Sequence, residues 1–254
     1  ITYLSRLMTS STTTPYYSGT TNIVDVASTG DYREIQPGRC LDFDETTQSI
    51  NLIDQNINIP FVDGTYSVWF YADVGSVEKF IDQNTGGRIG FGKVAGVNTL
   101  GMYCTIGGST SKADAYVPLK WHHCVWVLEN QTRALYVNGE LLQTFAAGYP
   151  TTFTGGRIGA IYNDTGNHFD GKLFDLRFYT RALTAAEITA LYRQGLQPDA
   201  VVAGQPDATN LVGRWLLDDN SQTTSYDSSG NGNHGTIVGY ASGMLYEGDD
   251  VPYS

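Results

Sequence analysis

The chain has 254 residues, enough to bury the core of one large domain, or of one domain and part of another. It carries 15 Lys and Arg against 26 Asp and Glu, a formal net charge of −11, which argues against nucleic acid or an anionic membrane surface as the main partner. Only 16% of the residues are charged, whereas 29 Gly, 17 Tyr and abundant Ser and Thr are typical of many strands joined by tight turns.

The chain changes character after its first residues. Residues 1–22 are rich in Ser and Thr and show no sustained period, which predicts an extended arm or linker. We assign residues 23–195 to one β domain, in which 38–52 already alternate apolar and polar residues. Short β-branched or aromatic runs bounded by turn residues follow at 65–74, 78–84, 88–94, 99–107, 120–130, 133–145, 157–163 and 171–179. This spacing predicts an all-β, two-sheet antiparallel jelly-roll sandwich.

Two local signals are specific. Asn138-Gly139 between two apolar runs predicts a two-residue type I′ hairpin, because both central positions need a positive φ. Thr184 followed three residues later by Glu187 is a capping box, and Gly195 is a stop signal. Between them lies the apolar face of one short helix at the end of the domain, formed by Ile188, Leu191 and Tyr192.

Cysteine and histidine patterns do not predict a zinc site. Cys40, Cys104 and Cys124 are an odd number without a Cys-x-x-Cys spacing, so we expect buried thiols or at most one disulfide. His122 and His123 are adjacent in a predicted strand and therefore point to opposite faces.

The last quarter of the chain reads as a separate β segment. Residues 196–210 contain two Pro and predict a linker. Residues 211–254 contain two short strand patterns around a cluster of Asp, Ser, Gly and Asn, and they end in an acidic tail.

Three motifs in the β domain resemble one known family. KWHHCV at 120–125 followed by LYVNG at 135–139 resembles a signature of the laminin-G-like and pentraxin jelly rolls within the concanavalin A-like superfamily. RIG at 157–159, FDGKLFDLRFY at 169–179 and RALTAAEI at 181–188 resemble the end of that domain in the right order. The resemblance implies the sandwich fold and a role in binding.

The opening motif of this family lies at the wrong end of the chain. WLLD at 215–218 and DSSGNGNHG at 227–235 are similar to the start of a laminin-G-like domain. Residues 211–254 are therefore expected to begin a second domain, with two alternatives left open. The segment could complete the first sandwich in a circularly permuted order, or it could be donated to a neighbouring chain.

The resemblance also implies a calcium site, because carboxylates and carbonyls at the rim of this fold often bind a hard cation. Asp170 and Asp175 flank the start of the last strand, and Asp25 or Asp31 could face them. Asp25, Asp170 and Asp175 are thus the predicted ligands. The alternative is that Asp170 only makes a turn and Asp175 pairs with an arginine.

A polar loop is the predicted carbohydrate-binding site. It offers one aromatic ring with amide, carboxylate and imidazole groups, which suit the apolar face and the hydroxyls of a sugar. The residues are Tyr162, Asn163, Asp164, Asn167 and His168. The alternative is an ordinary solvated connection.

These features predict a non-enzymatic binding or structural module. The arm and the Trp-, Asp- and Gly-rich domain are similar to parts of bacteriophage virion proteins, so we expect a virion, or a secreted or cell-surface, location. Expected partners are assembly subunits, further copies of the chain and cell-surface glycans. The alternative is a glycan-active hydrolase or lyase, although the closely spaced carboxylates of related glycosidases are missing from the sequence.

Overall fold

The structure is a computed structural model. Besides the backbone of two strands at 23–26 and 32–35, it describes residues 38–53, 57–72, 78–84, 88–196, 202–248 and 250–252. These residues form two stacked eight-stranded antiparallel sheets, two small two-stranded sheets and one helix, which confirms the predicted sandwich. The predicted arm at 1–22 lies outside the described residues. No described helix combines the length and hydropathy needed to cross a bilayer.

The first sheet has one face in the core and one face turned outward. Its spatial order is β10 (Thr110–Lys112), β9 (Leu100–Cys104), β8 (Arg88–Lys93), β7 (Glu78–Asn84), β15 (Gly156–Ile158), β4 (Ser49–Asn51), β19 (Gly235–Val238) and β18 (Thr224–Ser225). The two small sheets pair β1 (Ile23–Val26) with β2 (Tyr32–Ile35), and β5 (Asn58–Pro60) with β14 (Thr152–Thr154).

The second sheet carries the longest strands. Its order is β13 (Glu140–Phe145), β12 (Thr132–Val137), β11 (Trp121–Glu129), β6 (Gly64–Tyr71), β16 (Asp170–Tyr179), β3 (Arg39–Asp44) and β20 (Leu245–Glu247), and β17 (Leu211–Trp215) also pairs with β16.

Aromatic rings fill the core between the two sheets. The ring of Tyr66 lies 4.2 Å from that of Phe91 in the first sheet and 4.5 Å from that of Phe178 in the second. The Tyr66 hydroxyl donates a 2.7 Å hydrogen bond to Gln83, so the buried phenol has a partner. All three cysteines are buried free thiols in the described structure.

The hairpin and the helix start agree with the sequence. Asn138 and Gly139 have φ values of 53° and 82°, as a type I′ turn requires. Helix α1 (Ala185–Leu196) begins with the predicted capping box. The backbone N–H of Glu187 donates to Thr184 Oγ1 at 3.3 Å, and the N–H of Thr184 donates to Glu187 Oε2 at 2.8 Å.

Helix α1 covers part of the outer face of the second sheet. Its end differs from the prediction, because Gly195 lies inside the helix and the helix runs to Leu196. A Cβ at position 195 would collide with the Trp69 ring, so glycine allows close packing there. The helix joins a buried cluster of Val125, Val127, Tyr179, Leu183, Ile188 and Leu191.

Residues 211–247 pack into the same sandwich. Strand β17 pairs with β16, β19 pairs with β4, and β20 pairs with β3. This differs from the expected start of a second domain and matches the alternative in which the segment completes the first sandwich. The physical reason is that β3, β4 and the second half of β16 each need a neighbour, which the segment supplies.

The turn motif of this segment is held around one carboxylate. Asp227 accepts hydrogen bonds from the backbone N–H groups of Arg214, Ser229 and Asn233 at 2.8–2.9 Å. The fully buried Trp215 donates from its indole to the carbonyl of Asn233 at 2.8 Å. The motif therefore organises a turn over the tryptophan that anchors the segment in the core.

Asp175 marks the point where β16 changes neighbours from β3 to β17. It has a positive φ of 48° within a register shift, and its N–H donates to the Leu216 carbonyl at 3.0 Å. Its carboxylate is 2.5 Å from the guanidinium of Arg177 and 2.9 Å from that of Arg214. Burial alone would raise the pKa of Asp175, but the two arginines outweigh it and hold the pKa below its usual range.

The two ends of the described sandwich meet. Strand β20 runs antiparallel to β3, and the N–H of Gly248 donates to the carbonyl of Gly38 at 2.8 Å. If a short connection joined residue 248 to residue 38, the opening motif at 215–235 would precede the later motifs, which is the order that the family shows.

We expect Trp215→Ala to lower the free energy of unfolding by about 3–5 kcal/mol, because it removes a fully buried indole. Chemical denaturation followed by circular dichroism measures the change. Tyr240→Ala, in the same segment but 36% exposed, is the matched control and should change stability by less than about 0.5 kcal/mol. Equal stabilities of the two variants would contradict the packing of this segment in the core.

We expect Asp175→Asn to cost about 3–5 kcal/mol at pH 7, because two guanidinium groups lose their buried counter-charge. The folded pKa of Asp175 lies below the unfolded value, so its contribution is complete above about pH 5 and is lost as the pH falls towards the folded value. The stability gap between wild type and variant should therefore stay constant from pH 7 to about 5 and narrow below that. A gap that widens in acid would rule out this role.

Candidate functional site

The predicted sugar loop crosses the outer face of the first sheet. Arg157 of β15 pairs with Asp82 of β7 on one side and with Asn51 of β4 on the other. Successive residues of a strand point to opposite faces, so these three side chains point outward. Their neighbours in sequence lie in the core, namely Ile50, Ile81 and Ile158.

Asp164 is the centre of this site. One carboxylate oxygen, Oδ1, lies 3.3 Å from the Ser49 hydroxyl, which donates to it, and 3.2 Å from His168 Nε2. The other oxygen lies 3.4 Å from the Arg157 guanidinium, which also donates to the Ser49 hydroxyl at 3.0 Å. The Asp164 side chain is 27% exposed, so it is fixed in place and still reaches solvent.

The other three predicted residues lie on the same loop as Asp164. Tyr162 is partly exposed, and its N–H donates to the buried carboxylate of Asp82 at 3.4 Å. Asn163 is exposed and accepts a 2.8 Å hydrogen bond from Thr165. Asn167 is also exposed, with a φ of 50° and its carbonyl bonded to a strand of the sheet. Both amide side chains lie on the loop surface.

Sequence reasoning missed three members of this site. Arg157, Ser49 and Asp82 come from three strands that are distant in sequence, and none of them belongs to the polar loop. The two-residue period of β15 could have placed Arg157 outward, because Ile158 is the apolar member of that pair. No local signal predicts that Ser49 and Asp164 meet.

The described residues do not assemble the predicted calcium ligands. Both oxygens of Asp175 are held by arginines, which confirms the alternative role and does not fit a cation ligand. Asp170 lies at the start of β16 with its N–H bonded to Glu78, and the Asp25 side chain lies outside the described residues. In the described part of the chain, no cluster of three or more His, Cys, Asp or Glu side chains is placed to hold a metal ion. Calcium binding through Asp25 and Asp170 stays a prediction.

The arrangement around Asp164 suits recognition of a polyhydroxylated ligand. A carboxylate and two amide side chains accept hydrogen bonds, and a guanidinium and the amides donate them. The Tyr162 ring adds an apolar surface beside them.

Comparison with solved structures finds similar folds. A candidate carbohydrate binding protein from Bacteroides ovatus is 16% identical with a TM-score of 0.62; the alignment covers 87% of this chain and 62% of that one. A heptameric SAP-like pentraxin from Limulus polyphemus is 15% identical with a TM-score of 0.47, covering 65% of this chain and 85% of that one. The chain thus spans about three fifths of the length of the Bacteroides protein. Identities this low show the fold alone.

Sequence comparison gives the family. No curated protein matches the chain. Residues 44–189, more than half of the chain, match the Laminin_G_3 family, which is described as the concanavalin A-like lectin/glucanases superfamily. The match contains the hairpin, the 169–179 motif and the capping box that carried the resemblance. The chain therefore belongs to the concanavalin A-like lectin/glucanases superfamily.

Proposed function

We propose that the chain is a non-enzymatic glycan-binding module that recognises sugar hydroxyls through the Asp164 site. The observation that carries this proposal is the position of Asp164, held by Ser49, Arg157 and His168 on the outer face of the first sheet and still partly exposed. Three contacts orient the carboxylate before a ligand arrives, which reduces the entropy lost on binding.

The composition of the site favours a sugar over other small ligands. Neighbouring hydroxyls of a sugar both donate and accept, and Asp164 with the amides of Asn163 and Asn167 can do the same. The single charge of Arg157 is already shared with Asp164 and Ser49, so the site is not dominated by one uncompensated cation. Tyr162 can contact the apolar face of a sugar ring.

We place this module in a virion or, alternatively, in a secreted or cell-surface assembly of several subunits. The support is the Ser- and Thr-rich arm at 1–22 beside a sandwich of this superfamily. Other copies of the chain and cell-surface glycans are the proposed partners. Asp25 and Asp170 are the proposed calcium ligands. Light scattering of the purified chain, with and without calcium, measures whether the chain forms an oligomer and whether calcium changes the oligomer. A monomer under both conditions would contradict the proposed assembly of several subunits.

A glycan array of the intact chain tests the proposed function. We expect wild-type binding to one class of glycan, and Asp164→Asn should weaken it by about tenfold or more, because it removes hydrogen bonds to a charged group. Glu140→Gln removes the same charge from an exposed position on β13 and should leave binding unchanged. The proposal fails if wild type binds no glycan, or if both variants lose binding equally.

The same glycans distinguish a binding module from an enzyme. The superfamily includes glucanases as well as lectins by its description, so release of reducing sugar must be measured on every glycan that binds. We expect no release over a day with excess protein. Release that disappears in Asp164→Asn would establish the alternative of a hydrolase.

A further inference from the structure

A second row of side chains lies on the outer face of the other sheet. Trp121, Tyr71, Lys172 and Asp42 follow one another in register across β11, β6, β16 and β3. They alternate along their strands with core residues, so all four point outward. Tyr246 of β20 lies beside them. We call these five residues the aromatic strip.

The members of the aromatic strip hold one another in place. The rings of Trp121 and Tyr71 lie 5.9 Å apart. The ammonium of Lys172 is 4.4 Å from the centres of both the Tyr71 and Tyr246 rings, and 3.6 Å from a carboxylate oxygen of Asp42. The rings are thus ordered before any ligand arrives, and the charges of Lys172 and Asp42 offset each other.

The aromatic strip is only partly buried. Helix α1 covers the sheet near Val125 and Val127, and Tyr192 stacks on Trp69. All five residues of the strip remain partly exposed. Trp121 is the exception among the four tryptophans, since the other three are at most 3% exposed. Its indole Nε1 is turned inward and is buried, so it is the face and the outer edge of the ring that remain partly exposed.

We propose that the aromatic strip is a second carbohydrate-binding surface, which takes an extended, uncharged polysaccharide. Three rings supply flat apolar surface, and Lys172 and Asp42 supply a donor and an acceptor between them. At the usual strand separation the row measures about 14 Å from Trp121 to Asp42, longer than a single sugar ring. The balanced charges favour an uncharged chain over an acidic one.

The strip lies on the opposite side of the sandwich from Asp164, so the two sites are independent. The strip could bind a polysaccharide if the Asp164 site binds nothing, and the reverse also holds. Two sites on opposite faces would let one module bridge two polysaccharide chains, with a gain in overall affinity.

Affinity electrophoresis of the intact chain through a soluble β-glucan, an arabinoxylan and a galactomannan tests the proposal. We expect at least one polysaccharide to retard wild type, and Trp121→Ala and Tyr71→Ala to weaken binding at least fivefold. Tyr103→Ala, which removes a 37% exposed tyrosine from the other sheet, is the matched control and should bind normally. Asp164→Asn should also bind normally, which separates this surface from the glycan array result.

Fluorescence of wild type provides a second readout. Because Trp121 is the one partly exposed tryptophan, acrylamide quenching of wild type reports mainly on the aromatic strip. The retarding polysaccharide should reduce this quenching, and Trp121→Phe should lose the effect while still binding. The proposal is overturned if no polysaccharide retards wild type, or if the quenching is unchanged when a polysaccharide binds. It is also overturned if raising the protein concentration alone reduces the quenching, because the strip would then contact a second copy of the chain.

Discussion

Two guanidinium groups meet one buried carboxylate where β16 changes neighbours. Arg177 belongs to β16 itself, whereas Arg214 arrives on β17 from a segment that begins more than thirty residues later. A buried carboxylate is tolerated only when it is paired, and here one partner is local and the other distant. Asp175 thus couples the bend in β16 to the docking of β17, the first strand of residues 211–247.

Closure of the sandwich divides its surface into unlike faces. The segment that docks beside Asp175 also brings Val251 against Trp69 and Cys40, so that helix and tail together cover much of the second sheet. The outer face of the first sheet is crossed by the loop that carries Asp164, whose side chain remains partly exposed there. The groups available for recognition on the second sheet are therefore those that the helix and the tail leave partly uncovered, the aromatic strip among them.

The parts of this architecture that sequence predicts are local in the chain. The 138–139 hairpin and the capping box at 184–187 depend on residues at most three positions apart, and both are confirmed. Where residues 211–247 pack depends on pairings with strands far away in sequence. Their motif alone fits a second domain, a completed first sandwich or a segment donated to a neighbouring chain. The same holds for the candidate site. The loop at 162–168 could be predicted from the sequence, but its partners Ser49 and Arg157 contact it only in the folded structure.

The hydrogen bond between Gly248 and Gly38 has a consequence for how the chain folds. Residue 41 pairs with residue 173 on one side and with residue 245 on the other, so β3 acquires its second neighbour only after about two hundred further residues have been made. Such non-local pairing slows folding, because a large loop must close before the contact forms. During synthesis the edges of β3 and β4 remain unpaired, and unpaired edges associate with other strands. The sandwich is therefore complete only when β20 docks, and its unpaired edges stay open to association until then.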